Sequence, residues 1–195
     1  MNYSAGSLGW YSNLYDLAKL NVDDVSIANL NHARQVALQN RSIYESVEIQ
    51  TQVPWYVVAA IHVRESNGDL GCALCNGQRI IGTNRKTTWT PAGRGPYATW
   101  IDSAVDALKF EEFNKITDWS LENILRFCEA YNGRGYLLYH PKVLSPYLWS
   151  CTSNYVSGLY TRDGHFDNSM KDIQCGIAAL FKALEGIVTF TRATL

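Results

Sequence analysis

Apolar residues recur at helical spacing in several separate segments of the chain. After the Asp23-Asp24 pair, which is typical of a helix N-terminus, this spacing predicts one helix that runs to about residue 50. Pro54 can occupy the first turn of a second helix, which the almost wholly apolar run that follows extends over residues 55–66. Further helices are predicted at residues 99–113, 121–131 and 168–185. The pattern therefore predicts a mainly α fold of the α+β class.

The two longest segments between these helices are predicted to be loops. Residues 69–98 are rich in glycine and proline, with a short β-hairpin predicted around residues 79–81. Residues 134–167 are rich in aromatic side chains. Loops longer than about 15 residues in a compact domain are usually functional or disordered, and we expect these two to be ordered because they are aromatic. The chain is expected to consist of a helical N-terminal extension, residues 1–50, packed on a catalytic domain, residues 51–195.

Composition and charge exclude several classes of protein. Of the 195 residues 47% are hydrophobic, so the chain can bury a core and is not wholly disordered. A formal net charge of -1, without a basic stripe, argues against a nucleic-acid-binding protein. The longest apolar run, residues 56–61, is too short to insert across a membrane. The N-terminus lacks the basic start and the apolar block of a signal peptide. The missing signal peptide predicts a protein that is made and kept in the cytoplasm, and we expect a monomer.

The five cysteines are expected to be thiols, because an odd number argues against a complete disulfide framework. Cys72 and Cys75 form a single CxxC pair, and a zinc site would need two further ligands from dispersed positions. Cys128, Cys151 and Cys175 lie in apolar or small-residue segments, which is typical of buried or half-buried thiols. We expect neither a metal nor a cofactor.

Glu65 is the strongest candidate for a chemical role. It lies near the end of the apolar helix predicted at residues 55–66 and shares a face with His62, three residues earlier. Burial and the negative end of the helix dipole both favour the neutral carboxylic acid over the carboxylate. A neutral acid at pH 7 is what a glycosidase needs to protonate the oxygen of the bond that it cleaves. The alternative is an ordinary solvated or capping glutamate at a helix end.

The residues around Glu65 also resemble a known motif. Residues 60–66, which end in Glu65-Ser66, resemble the Glu-Ser signature of lysozyme-like lytic transglycosylases and goose-type lysozymes. Residues 129–133 resemble the Tyr-Asn-Gly motif of the same superfamily. Three further stretches resemble small phage endolysin catalytic domains, namely residues 76–78, 93–109 and 145–150. The resemblance covers about residues 53–184. It implies a lysozyme-like bundle of helices with a small β-hairpin, long aromatic loops that form a cleft, and Glu65 as the acid.

The sequence defines a second carboxylate less well. Asp102, at the start of a predicted helix, is a candidate for holding a water on the opposite face of the sugar, as inverting glycosidases require. Its alternative is an acidic residue in the first turn of a helix, which the helix dipole favours. Asp69 is a weaker candidate, and its alternative is a loop residue. The Gly-Leu-Met-Gln-type segment that transglycosylases usually carry between the two motifs is absent from this sequence, so hydrolysis and transglycosylation both stay open.

The candidates for substrate contacts are His62, Ser66, Tyr131, Asn132, Tyr147 and Trp149. His62 can hydrogen-bond Glu65 or the substrate, or be a satisfied core histidine. The resemblance implies that Tyr131 and Asn132 face the acid across the cleft, where they contact an acetamido group or orient Glu65. The alternative for this pair is a simple helix end, with Asn132 in a left-handed turn. Tyr147 and Trp149 either stack on sugar rings or pack the long loop onto the core.

The leading hypothesis is a peptidoglycan-degrading endolysin of the muramidase type. It would cleave the β-1,4 bond between N-acetylmuramic acid and N-acetylglucosamine with Glu65 as the general acid. The alternative is a lytic transglycosylase that forms 1,6-anhydro-muramic products, with Glu65 as acid and then as base. A non-catalytic glycan-binding module and an enzyme acting on chitin or chitosan are further hypotheses. The resemblance implies peptidoglycan glycan strands as the partner. An endolysin without a signal peptide would stay in the host cytoplasm until it is released to the cell wall, or would be added from outside.

Overall fold

The computed structural model describes residues 3–162 and 164–194. These residues are mainly helical, with one small antiparallel sheet, which confirms the predicted α+β class. The α-helices are α1 (Leu8–Leu17), α2 (Asp24–Gln39), α3 (Arg41–Thr51), α4 (Trp55–Ser66), α5 (Trp100–Phe110), α6 (Leu121–Tyr131), α7 (Gly135–Tyr139), α8 (Pro146–Trp149) and α9 (Ile177–Leu184), and a 3-10 helix spans Phe113–Lys115. The strands β1 (Leu159–Arg162) and β2 (His165–Asp167) pair with an irregular register after Tyr160. Among the described residues, no helix has both the length and the apolar character that a membrane span requires.

The chain divides into two compact units. The terminal unit combines the chain up to Arg34 with the chain from Asp118 onward, and the central unit is Gln35–Thr117. The boundary expected after residue 50 therefore falls inside the central unit. The beginning of the chain belongs with its C-terminal part because α1 packs against α6.

The central unit is organised around α4, most of which is buried. Pro54 precedes this helix at the N-cap, and eight of its twelve residues are buried, as the predicted helix over residues 55–66 requires. α3 packs against both α4 and α5. α4 ends where Asn67 takes the left-handed conformation with a φ of 55°. At the next position a Cβ on Gly68 would lie 2.2 Å from Cγ1 of Val36, so only glycine fits at this turn.

The terminal unit has a core in which α6, α8 and α9 pack against one another. Trp149 from α8 and Phe181 from α9 are among its largest fully buried side chains. A disulfide joins Cys151, just after α8, to Cys175, just before α9. This corrects the expectation of thiols at both positions, because the packing of α8 on α9 brings the two Cα atoms to 5.0 Å although they are 24 residues apart in sequence. The free cysteines are Cys72, Cys75 and Cys128.

Three predicted helices have different bounds in the structure, among them the one predicted at residues 99–113, which ends at Phe110. The long helix predicted to end near residue 50 is two helices, α2 and α3, which are separated at Asn40. The apolar spacing continues across this break and therefore does not reveal it. The helix predicted at residues 168–185 begins only at Ile177. Gly176 lies against the backbone of α8 and is the N-cap of α9, which sets the start of that helix.

The predicted hairpin is also corrected. Around residues 79–81 the described chain has an isolated bridge between Cys72 and Arg79, and the two-stranded sheet lies at β1 and β2 instead. The aromatic segment predicted as loop contains α7, α8 and this sheet. α1 is a further helix that the apolar spacing does not predict. Ser7 caps it, because its hydroxyl accepts a hydrogen bond from the Trp10 N–H at 3.3 Å.

Candidate functional site

Glu65 lies in the last turn of α4, where this helix emerges from the core of the central unit. The helix is buried as far as Val63, whereas Arg64, Glu65 and Ser66 are half-buried. The burial expected around Glu65 is therefore partial in the structure, because the burial of α4 does not extend to its last turn. Glu65 is thus a partly exposed residue at the end of a buried helix.

Ser66 stabilises the turn that follows α4. Its hydroxyl donates to the carbonyl oxygens of His62 at 3.4 Å and Asp69 at 3.5 Å. The Asn67 N–H donates to a carbonyl of the preceding helical turn at 2.8 Å and closes the helix. Ser66, which was predicted to contact the substrate, thus hydrogen-bonds the backbone that positions Glu65.

The segment after this turn folds back onto the end of α4. The Ala73 N–H donates to the Gln78 carbonyl at 2.8 Å, and the Gly77 N–H donates to the Ala73 carbonyl at 2.9 Å, so residues 73–78 form a tight turn. Gly77 has a φ of 70°, and a Cβ added to it would lie 2.6 Å from the backbone oxygen of Glu65. Only glycine fits there, and the tight turn therefore packs directly on the end of α4.

The Cys75 thiol is an electrostatic neighbour of Glu65. Burial raises the pKa of Cys75 to about 11, and the negative charge of Glu65 acts in the same direction. Burial also raises the pKa of Cys72, to which the nearby Asp69 carboxylate contributes. Both cysteines are therefore protonated at pH 7, and the CxxC pair offers no thiolate nucleophile at that pH.

His62 is a core histidine that lies one turn before Glu65. It is 0% exposed, its Nδ1 shares a hydrogen bond of 2.9 Å with the Tyr44 hydroxyl, and its ring centroid is 4.2 Å from that of Trp100. Burial lowers the pKa of His62 to about 4, although the Asp69 backbone and carboxylate act in the opposite direction. The ring is therefore neutral at pH 7. The predicted substrate contact of His62 is corrected, because no surface of the ring is open to a ligand.

The two aspartates that sequence analysis considered as a second carboxylate both hold backbone structure. The Asp102 Oδ2 accepts hydrogen bonds from the Thr99 N–H at 2.9 Å and the Thr99 hydroxyl at 2.7 Å, and together they form a capping box for α5. Asp69 accepts a hydrogen bond from the Gly71 N–H at 2.8 Å and pairs with Arg79. These contacts lower the pKa of Asp69. Asp102 thus has the first-turn role that was its alternative.

The other four predicted residues belong to the terminal unit. Tyr131 ends α6 and is half-buried, and Asn132 follows as an exposed C-cap. The φ of Asn132 is -76°, and Gly133, with a φ of 89°, takes the left-handed position instead. Tyr147 and Trp149 are buried in α8, with Trp149 0% exposed. Their predicted stacking on sugar rings is therefore corrected, because α8 packs against α6 and α9 and turns both side chains into the core.

A buried carboxylate that the sequence did not reveal lies near the end of α6. Glu129 is 2% exposed and accepts a hydrogen bond from the hydroxyl of Tyr11, in α1. Burial raises the pKa of Glu129, and the Tyr11 hydrogen bond and the charge of Arg134 oppose this effect. Glu129 lies four residues after the buried Leu125, so helical spacing places it on the buried face of α6, whereas its partner comes from α1, which the apolar spacing does not predict.

Trp89 is a second residue that sequence analysis missed. Its side chain is 60% exposed, and its backbone is hydrogen-bonded by the side chains of Asn76 and Gln78. These two amides flank Gly77, which packs on Glu65. The sequence signal that points to Trp89 is therefore the Asn76-Gly77-Gln78 segment.

Within residues 3–162 and 164–194, no three His, Cys, Asp or Glu side chains come together in a way that could hold a metal ion. Comparisons of the chain with protein-family models, with curated proteins and with solved structures found no match. A function for the site is therefore inferred from the chemistry of Glu65 and its neighbours and from the motif resemblance.

Proposed function

We propose that this protein cleaves the glycan strands of peptidoglycan, as an endolysin of the lysozyme-like type. Glu65 is the general acid, which donates its proton to the oxygen of the β-1,4 bond between N-acetylmuramic acid and N-acetylglucosamine as that bond breaks. The observation that carries the proposal is the placement of Glu65, a half-buried carboxyl group at the end of a buried helix and within the Glu-Ser motif.

A general acid must be held rigidly and must also be reachable by the substrate. The buried residues of α4 supply the rigidity. Ser66 stabilises the turn that follows, and Gly77 packs on the backbone of Glu65. The partial exposure of Glu65 leaves its carboxyl group within reach of a bound sugar. These features together support Glu65 as the residue that meets the scissile bond.

Two neighbours of Glu65 are compatible with an acid role because they are uncharged. A cation beside a carboxyl group favours the carboxylate and opposes proton retention. His62, one turn earlier, is neutral at pH 7 because burial lowers its pKa to about 4. Cys75 is a neutral thiol because burial raises its pKa to about 11. Both side chains are therefore uncharged at pH 7.

The capping role of Asp102 favours transglycosylation as the outcome of cleavage. Inverting hydrolysis needs a second carboxylate that activates a water, and the Asp102 Oδ2 is engaged by two hydrogen bonds from Thr99. With one acid, the 6-hydroxyl of the muramic acid attacks C1 and closes the 1,6-anhydro ring, and its proton returns to Glu65, which then acts as the base. Muramidase hydrolysis, in which water attacks C1, is the second candidate outcome.

Digestion of purified sacculi, with mass spectrometry of the released muropeptides, tests the proposal. We expect the wild-type protein to release fragments that end in 1,6-anhydro-muramic acid, whereas hydrolysis would give reducing ends that are heavier by one water. Glu65→Gln keeps the size and polarity of the side chain but removes the carboxylic acid proton. We therefore expect this variant to release almost no fragments. Release of fragments by Glu65→Gln at the wild-type rate would contradict the proposal.

Asp102→Asn is the matched control for the second carboxylate. If Asp102 only caps α5, this variant should give the same products at a similar rate, with a small loss of stability. Loss of cleavage in a folded Asp102→Asn protein would instead favour the two-carboxylate muramidase mechanism. A wild-type protein that binds sacculi and releases no fragments would favour a glycan-binding module.

A further inference from the structure

Trp89 differs in exposure from the other tryptophans of the chain, which has six. It is 60% exposed, whereas each of the others is half-buried or buried. An exposed indole leaves in water much of the large apolar surface that such a side chain usually buries. The core of the central unit therefore gains little from this side chain in its present position.

Two amide side chains fix the backbone on both sides of Trp89. The Gln78 Oε1 accepts hydrogen bonds from the Thr88 N–H at 2.7 Å and the Trp89 N–H at 3.1 Å, and the Gln78 Nε2 donates to the Thr88 hydroxyl at 2.9 Å. The Asn76 Nδ2 donates to the Trp89 carbonyl at 3.0 Å. The indole is thus presented to solvent on a fixed backbone, which reduces the conformational entropy that a ligand must remove when it binds.

The same segment connects Trp89 with Glu65. Gly77 lies between the two amides, and a Cβ on it would be only 2.6 Å from the Glu65 carbonyl oxygen. The Cα atoms of Asn76 and Gln78 are each about 3.8 Å from that of Gly77. The side chains of both residues hydrogen-bond the backbone of Trp89. All of these residues belong to the central unit. The segment that packs on the proposed acid therefore also positions the exposed indole.

We infer that Trp89 is a sugar-binding subsite of the Glu65 site, on which one ring of a β-1,4-linked N-acetylhexosamine strand stacks. This inference rests on the proposed function. The C–H face of a pyranose ring is apolar and packs well on an indole, while the hydroxyl and acetamido groups at its edge stay hydrated. A glycan strand that reaches Glu65 passes the adjacent segment, where Trp89 holds a neighbouring sugar and places the scissile bond.

Binding of the β-1,4-linked tetramer of N-acetylglucosamine tests this subsite. It is measured by calorimetry on the full-length Glu65→Gln protein, which is not expected to turn the probe over. We expect Trp89→Ala in this background to weaken binding by about tenfold or more, and Trp89→Tyr, which keeps an aromatic face, to retain most of the affinity. Ile49→Ala is the matched control, because it removes another exposed apolar side chain of the central unit, and it should leave binding unchanged.

Fluorescence quenching gives a second measurement on a protein that keeps every tryptophan. Acrylamide should quench Trp89 most strongly because its indole is the exposed one, and saturation with the tetramer should protect it. If the tetramer binds and the quenching does not change, the sugar binds elsewhere and the subsite is wrong.

Digestion of sacculi separates a failure of this inference from a failure of the proposed function. We expect Trp89→Ala to raise the apparent KM about tenfold with little change in kcat. If the wild type cleaves sacculi and a folded Trp89→Ala protein has the same KM and the same tetramer affinity, the subsite is wrong and the role of Glu65 stands. If the tetramer binds through Trp89 and no bond is cleaved, the subsite stands and the proposed catalysis is wrong. Absence of both binding and cleavage overturns both.

Discussion

Glu65 in the central unit and Glu129 in the terminal unit each lie in the last turn of a helix. Glu129 is 2% exposed, bonded by the Tyr11 hydroxyl, and its pKa is raised by burial. Glu65 is half-buried and lies against the turn around Gly77. The raised pKa of Glu129 favours its acid form, but its burial leaves a polymer no route to it. The comparison indicates that a carboxyl group needs both a rigid position and access to the polymer before it can act on a glycan.

The largest expected effect is on the rate of cleavage, and it separates the two glutamates. Glu65→Gln should lower the rate of sacculus solubilisation by about 10²–10⁴-fold, because it removes the proton donor. Glu129→Gln should leave the rate close to that of the wild type, because its amide oxygen still accepts the Tyr11 hydrogen bond. A turbidity assay on purified sacculi measures both. An inactive Glu129→Gln protein with an unchanged Tm would reverse the assignment.

The two units differ in the state of their cysteines. A disulfide closes a loop in the terminal unit, whereas the two cysteines of the central unit, Cys72 and Cys75, are free. We expect the double variant Cys151→Ser and Cys175→Ser to lower the free energy of unfolding by about 3–4 kcal/mol, as expected from chain entropy. Urea unfolding with and without dithiothreitol measures this, and reductant should destabilise the wild type and not the double variant. Equal effects of reductant on both proteins would contradict the pairing.

The free energy of unfolding should depend on pH because His62 is a buried base. His62 has a folded-state pKa of about 4, below its ordinary value of 6.5, so the unfolded chain takes up the proton first as the pH falls. The stability that neutral His62 contributes is therefore complete above pH 6.5, and about 3 kcal/mol of it is lost as the pH falls to about 4. Urea unfolding across this range should show the slope, and His62→Gln should flatten it. A His62 ring that titrates near 6.5 by NMR would contradict the burial argument.

A smaller effect is expected from the hydrogen bond that holds Glu129. Tyr11→Phe leaves this buried carboxyl group without its donor and should cost about 1–3 kcal/mol. Because burial raises the folded-state pKa of Glu129, the cost should grow as the pH rises and the group ionises inside the core. Combining Tyr11→Phe with Glu129→Gln measures the coupling through a double-mutant cycle. The rate of sacculus cleavage should not follow this loss of stability, and a parallel loss of both would give Glu129 a part in the reaction.

The elements that surround Glu65 could be predicted from the sequence because their signals are local. α4 follows from Pro54 and a continuous apolar run. The start of α5 follows from Thr99 and Asp102, which form a capping box within three residues. The placement of Glu65 at a helix end was therefore predicted correctly, and its degree of burial was not, since burial depends on residues distant in sequence.

The features that the sequence did not reveal depend on long-range packing. The Tyr11 partner of Glu129 is 118 residues away in the chain, and the disulfide depends on how α8 meets α9. A tryptophan such as Trp149 suits both a surface that stacks on sugar rings and a buried core. Its residue type alone therefore does not predict that it is buried. The sheet has a local signal that was missed, because an Asp-Gly dipeptide, typical of hairpin turns, precedes His165.

The most direct test of Glu65 as a proton donor compares two aryl glycosides of an N-acetylglucosamine oligomer, one with a basic phenol as the leaving group and one with 2,4-dinitrophenol. The departure of dinitrophenolate needs no proton, whereas that of a basic phenolate does. We expect Glu65→Gln to lose most of its rate on the phenyl glycoside and much less on the dinitrophenyl glycoside. Equal losses on both substrates would show that Glu65 does not protonate the leaving oxygen and would contradict the central claim.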